Sequence, residues 1–130
     1  MIIDTSAIIA ILNKEPEGPD FTALIVEAAE PKMSAATYVE LGVVVERRGN
    51  PVLSRQLDEL IELLGITIVA VDSEQARLAR EAFRDFGKGM GSSAQLNYGD
   101  TFSYALASAR SEPLLFKGAD FSETDIHPAV

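Results

Sequence analysis

Four carboxylates, Asp4, Glu40, Asp100 and Asp120, are spaced so that an α/β chain could bring them together. Asp4 ends the apolar run Ile2-Ile3, Asp100 follows Gly99 at the start of an apolar stretch, and Asp120 comes shortly after Leu114 to Phe116. Glu40 has Ala36, Thr37, Val43 and Val44 three and four residues away, so on a helix it shares a face that reads as core. A carboxylate buried there uncompensated would cost several kcal/mol, and Arg47 and Arg48 lie about two turns on. The chain has no cysteine and a single histidine, His127, so a zinc centre of nitrogen and sulfur ligands cannot be assembled. Any metal must be held by oxygen, which suits Mg²⁺ or Mn²⁺.

Each acid also has a plainer reading. Asp4 and Asp100 can cap the helices that follow them, and Asp120 can be an exposed turn residue. Convergence favours the pocket: three of the acids fall beyond strand ends on one edge of a parallel sheet, and Glu40 projects inward from a helix. Four like charges gathered without a cation would raise one another's pKa values.

The elements that must position them alternate short β-like runs with longer helical ones, which predicts one α/β domain over residues 1–130 with a mainly parallel sheet. Met1 to Ile3 is a buried strand, followed by a helical stretch through Leu12 and a break from Asn13 to Pro19. Helix is predicted over Phe21 to Ala29, a strand over Pro31 to Met33, and a helix from Ala35 to about Arg48, capped by Ser34 and stopped by Gly49-Asn50-Pro51. Leu53 to Leu64 is an amphipathic helix ended by Gly65. The β-branched run Ile66 to Val71 reads as a central strand. Ser73 to Phe86 is a helix with Ala76, Ala79, Ala82 and Phe83 on one face, and Gly87 to Ser93 is a mobile loop. Asp100 to Ala109 is helix, Pro113 to Phe116 strand, Lys117 to Phe121 a turn, and the tail through Ile126 an added edge strand.

With 130 residues, 47% of them hydrophobic, the chain can enclose one core. No apolar run spans a bilayer and the start lacks a signal-peptide layout, so a cytoplasmic protein without membrane contact is expected. Twenty acidic residues against eleven basic ones give a net charge of −9, which opposes nucleic-acid binding. Metal ions at the converging acids would reverse that sign locally.

Ile2-Ile3-Asp4-Thr5-Ser6-Ala7, Ser34 to Glu40, Leu96-Asn97-Tyr98-Gly99-Asp100-Thr101-Phe102 and Leu114 to Phe121 together resemble the PIN-domain family, and within it the VapC toxins of type II toxin–antitoxin pairs. The resemblance covers essentially the whole chain. It implies an α/β/α sandwich, an acidic pocket of Asp4, Glu40, Asp100 and Asp120, and hydroxyls at Ser6 and Thr101 that orient a water or a neighbouring carboxylate. Many relatives carry two acids in the last motif, where this chain has Gly118 and then Asp120, so one-metal occupancy is expected at rest. The resemblance also implies a VapB-type antitoxin that lays a helix in an apolar groove, with Ile8, Ile9, Ile11, Leu12, Val43 and Val44 as candidates, and a homodimer.

The expected activity is a Mg²⁺- or Mn²⁺-dependent endoribonuclease, with Asp4 as the shared ligand, Asp100 and Asp120 holding one ion each, and Glu40 acting by ligation or through water. Lys88 and Lys117 are the candidate RNA contacts, with Arg47, Arg48 and Arg84 further out. Gly87 to Gly91 lacks the GxxxxGK[ST] order of an ATP site, and His127 is a bystander. One rival is a phosphoacceptor receiver domain using Asp72 and Lys117, though such a domain has no use for Glu40. The other is a PIN-like module kept for binding alone.

Overall fold

The computed structural model describes all residues, 1–130. Its elements are β1 (Ile2–Ile3), α1 (Thr5–Leu12), α2 (Gly18–Glu27), β2 (Lys32–Ser34), α3 (Ala35–Glu46), α4 (Pro51–Leu63), β3 (Thr67–Val69), α5 (Ser73–Phe86), α6 (Tyr98–Arg110) and β4 (Leu114–Leu115). The strands pair in parallel, in the order β3-β2-β1-β4.

Strand alternation divides the core in two. Ile2 stands opposite Leu114 and Ile3 opposite Leu115, and successive side chains leave a strand on opposite faces. Ile3 and Leu115 therefore join Ile8, Phe21, Ile25, Leu41, Val45, Leu57 and Ile61 from α1 to α4. Ile2 and Leu114 join Ala82 of α5, Leu96, and Tyr104 and Leu106 of α6. Helices thus cover both faces, the expected α/β/α sandwich, and β1, β2 and β4 are buried along their whole length. At the amino end of the sheet the buried Lys32 is neutralised by Glu112, at 2.9 Å.

Several boundaries differ from expectation. β3 is an edge strand with Thr67 and Ile68 exposed, not a central one; β-branched content marks a strand without fixing its place in the order. α2 starts at Gly18, since Pro19 fits a first helical turn. α6 starts at Tyr98 because Asn97, not Asp100, is its N-cap. On α5, Ala79 and Ala82 are buried, but Ala76 and Phe83 face solvent. The tail does reach the sheet edge, slightly later than expected, through a bridge of Pro128 to Leu114. No helix is long and apolar enough to cross a membrane.

Parallel pairing has a consequence for chemistry, because the carboxyl ends of all the strands lie along one edge of the sheet. β1 runs there into Asp4, β2 into the Ser34 cap of α3, and β4 into the loop that carries Asp120. The N-terminus of α6 brings Asp100 to the same edge, where open α/β sheets place their ligands.

Candidate active site

Asp4 is held by three donors. Its Oδ2 accepts from the backbone N of Ser6 (3.0 Å) and from Ser6 Oγ (2.7 Å). Its Oδ1 accepts from Ser103 Oγ at 2.5 Å, and Ser103 lies 3.2 Å from Thr37 Oγ1 in the buried interior. Ser6 Oγ also accepts from the backbone N of Lys117 (2.9 Å), tying the start of α1 to the loop bearing Asp120. Asp4 is both the N-cap of α1 and a buried pocket acid.

Glu40 is half-buried, and its Oε1 accepts from Thr5 Oγ1 at 2.6 Å. Its Oε2 lies directly over Gly99, where an added Cβ would fall 1.6 Å away. Burial chiefly raises its pKa; the Thr5 hydrogen bond opposes this and the charge of Asp4 adds to it. The helix face around Glu40 is core only in part: Thr37 is buried as expected, but Val43 is 46% exposed and Ala36 and Val44 are half-buried. The rest of that face lines an open trough between α3 and α6.

Asp100 occupies the third position of α6. Its Oδ2 accepts from the backbone N of Asn97 (3.0 Å), while its own N donates to Asn97 Oδ1 (2.9 Å), a reciprocal cap. Burial pushes the Asp100 pKa up to about 7, against the cap's lowering effect, and the charges of Asp4, Asp120 and Glu40 push in the same direction. Asp120 is exposed, the outermost of the four. Just before it Gly118 has φ +99°. A side chain would be strained there, so an acid at this point would have no comfortable backbone.

The four acids therefore share one field, yet no three of them are gathered into a ready-made chelating cluster. None of the chain's ion pairs involves any of them, so neither lysine nor arginine neutralises the pocket. An all-oxygen donor set with excess negative charge and a neutral-range pKa suits a hard divalent cation.

Other expected participants are placed differently. Ser6 serves Asp4 as expected, but the Thr101 hydroxyl donates to the carbonyl of Tyr98 (2.6 Å) and reaches no acid. Ser103 does that work in its place. The Lys117 ammonium is paired with Glu15 and Glu17, while its backbone N donates to Ser6 Oγ at the site. Arg48 donates to Asn13 Oδ1 (2.6 Å); Lys88 is exposed and free of ion pairs. Asp72 caps α5 through the N of Gln75 (2.8 Å), and with Lys117 engaged elsewhere the receiver reading loses both its residues.

A model of the PIN domain matches residues 1–126. The chain belongs to the PIN-domain family. Among relatives, the chain is 49% identical over 129 residues to Ribonuclease VapC42 of Mycobacterium tuberculosis, covering 99% of this chain and 98% of that protein. It is likewise 49% identical to Ribonuclease VapC28 of the same species, covering 100% and 98%. Within the PIN domains it therefore groups with the VapC ribonucleases. The fold agrees with the crystal structure of M. tuberculosis VapC20, described as a sarcin-ricin loop cleaving toxin, at TM-score 0.73 and 15% identity over 98% of both chains. It also agrees with FitAcB from Neisseria gonorrhoeae, at TM-score 0.72 and 21% identity over 98% of this chain and 94% of that one.

The place of Gly99 under Glu40 makes a sharp test. In Gly99→Ala the methyl group meets only the end of a flexible side chain, so the fold survives and Glu40 swings away. RNA cleavage by this PIN domain should fall about 10- to 100-fold, as for loss of a group that supports a metal site. The melting temperature should hold or rise, since alanine is the better helix former by about 1 kcal/mol. Unchanged cleavage would mean that Glu40 is not needed at this spot.

Proposed function

We propose that residues 1–130 act as one domain, the toxin of a VapBC-type pair, hydrolysing RNA phosphodiester bonds internally with Mg²⁺ or Mn²⁺. Asp4, Asp100 and Asp120 would hold the cation, with Glu40 as a further ligand or acting through water. The observation that carries this reading is the convergence of Asp4, Glu40 and Asp120 on the buried Asp100, with no basic side chain paired to any of the four.

When bound, such a cation lowers the pKa of the attacking water and neutralises charge on the phosphate. The protein's own residues supply orientation. Ser6 and Ser103 fix the Asp4 carboxylate in one orientation. Thr5 occupies Oε1 of Glu40, leaving Oε2 as the atom that can take a proton from water. Attack by water in line with the leaving oxygen yields a 5′-phosphate and a 3′-hydroxyl. The RNA 2′-hydroxyl is not the nucleophile.

The partner in this reading is a VapB-type antitoxin, and the toxin itself forms a homodimer. Known structures of this fold include a toxin–antitoxin complex from Klebsiella pneumoniae and a VapBC2 complex of Rickettsia felis with promoter DNA. Ile8 is core and unavailable to an antitoxin, and Ile9, Ile11 and Leu12 are half-buried. The open apolar surface is the trough of Val39, Val43, Val44, Tyr98 and Phe102, with Glu40 and Arg47 also in its lining. A helix laid there could reach Glu40 with a basic side chain.

The test is labelled RNA incubated with purified protein and Mg²⁺ or Mn²⁺, with and without EDTA. Cleavage to 5′-phosphate ends should stop on chelation and return on adding back metal. Cleavage that persists in EDTA would remove the proposed chemistry. Absence of cleavage under every metal condition, with retained antitoxin binding, would favour the binding-only module.

A further inference from the structure

With Lys117 paired to Glu15 and Glu17, a chain of net charge −9 still needs a surface that tolerates a phosphate backbone. Helix α5 carries one. Arg77, Arg80 and Arg84 recur at intervals of three and four residues, so they share one exposed helical face. Glu81 lies among them, and Arg84 is paired with its neighbour Asp85 at 2.9 Å. Arg77 and Arg80 have no acidic partner within the chain.

Arg80 also belongs to a second feature, an apolar cleft of about 400 Å³ between α5 and α6. One wall is Ala76, Ala79, Arg80 and Phe83; the other is Tyr98, Thr101 and Phe102. Tyr98 is 78% exposed and Phe83 37%, so two aromatic rings are open to solvent. Tyr98 and Phe102 stand edge to face, with ring centres 5.0 Å apart, which holds the Tyr98 ring in place. The far wall is the first turn of α6, where Asp100 sits between Gly99 and Thr101. The cleft and the acid pocket are thus built on opposite sides of a single helical turn.

We infer that this cleft and the arginine face of α5 form the track that feeds single-stranded RNA to the acid pocket, with a base against Tyr98 and Phe83 and phosphates on Arg77 and Arg80. This rests on the ribonuclease reading above. Guanidinium groups bind phosphate through paired donors, and exposed rings take unpaired bases irrespective of sequence. Both kinds of group meet here, one helical turn's width from the acid pocket, on an otherwise acidic protein. A paired duplex has no free base for the cleft, so the track selects single strands or loops. It also differs from the trough on the other side of Tyr98 and Phe102, which α3 lines with Val39, Val43, Val44 and the pocket acid Glu40.

The test uses a fluorescently labelled single-stranded RNA of mixed sequence and a duplex of the same length, titrated by anisotropy against Asp4→Asn protein as a non-cleaving background. Adding Arg77→Ala and Arg80→Ala should weaken single-strand binding about tenfold at low salt. It should also flatten the plot of log affinity against log salt by about 1.4, two contacts at about 0.7 each. Tyr98→Ala should weaken binding of the single strand and leave the weaker duplex binding unchanged. In the otherwise native protein the arginine variant should raise KM for RNA with little change in kcat, and circular dichroism should verify its folding.

Arginine variants that match their parent in affinity and salt slope would overturn the track, while wild-type cleavage of RNA would leave the ribonuclease reading standing. Variants that lose mass in light scattering yet keep their RNA affinity would assign the face to a second copy and overturn it too. Wild-type protein that neither binds nor cleaves RNA would overturn both.

Discussion

Replacing Asp4 by asparagine is expected to lower metal-dependent RNA cleavage on the order of 1000-fold and to leave the fold intact. Loss of a group that merely orients a metal ligand costs about 10- to 100-fold, so loss of Asp4, the proposed ligand itself, should cost more. The fold should survive because the site can rearrange. Asparagine keeps one acceptor for the N and Oγ of Ser6, and turns its NH₂ toward Ser103, which can then donate to Thr37 Oγ1 at 3.2 Å. Ser103→Ala supplies the graded comparison: the ligand stays but loses its 2.5 Å support. Its Mn²⁺ affinity, measured by titration calorimetry, should fall about 10- to 100-fold, and Ser103→Thr should restore most of it. If Asp4→Asn and Ser103→Ala were equally mild, Asp4 would be a helix cap and nothing more.

That contrast marks where sequence reasoning reaches and where it stops. Asp4 was legible because a buried strand of two isoleucines ends abruptly at a carboxylate, and Ser34 was legible as a cap from its neighbours alone. Ser103 was not, because its role depends on meeting Asp4 across 99 positions of chain. Nothing local distinguishes it from any hydroxyl on an apolar helix. Resemblance points to Thr101, yet its hydroxyl closes on a carbonyl of its own first turn. The early start of α6 could have been found, since Asn97 and Asp100 have the spacing of a reciprocal cap.

Val43 illustrates a deeper limit. An apolar residue reserved for a partner and one destined for the core look alike in a linear pattern, and only packing separates them. The edge position of β3 was hidden for a similar reason: its side chains favour a strand, while the order of strands is decided by how the helices cross. The sandwich, by contrast, followed from the alternation of strands and helices alone.

Asp100→Asn should separate the acid's role in catalysis from its effect on the fold. An aspartate at about 7 in the folded chain, against about 3.9 when unfolded, is protonated in the folded state alone over the interval between. The folded state then binds more protons, so this residue's contribution to stability falls as pH rises from about 4 to about 7, and is level above that. Glu40, also raised, acts in the same direction. Glu15, Asp85 and Glu112 are lowered and act oppositely, so the informative quantity is variant minus wild type and not either profile alone.

Asparagine is neutral at every pH and keeps an acceptor for the N of Asn97, so the cap of α6 persists. In EDTA the variant's melting temperature should therefore match wild type near about pH 4. It should then exceed wild type by a margin that widens to roughly several degrees by about pH 8. Mn²⁺ should reverse the order at the higher pH, because the cation stabilises only the protein able to bind it, and RNA cleavage by the variant should be lost. Binding to wild type near neutral pH should also release a proton, visible as a calorimetric heat that changes with the buffer. A difference in melting temperature that stayed flat from acid to alkaline pH would mean that Asp100 titrates normally. The crowded, uncompensated pocket on which the metal reading stands would then be absent.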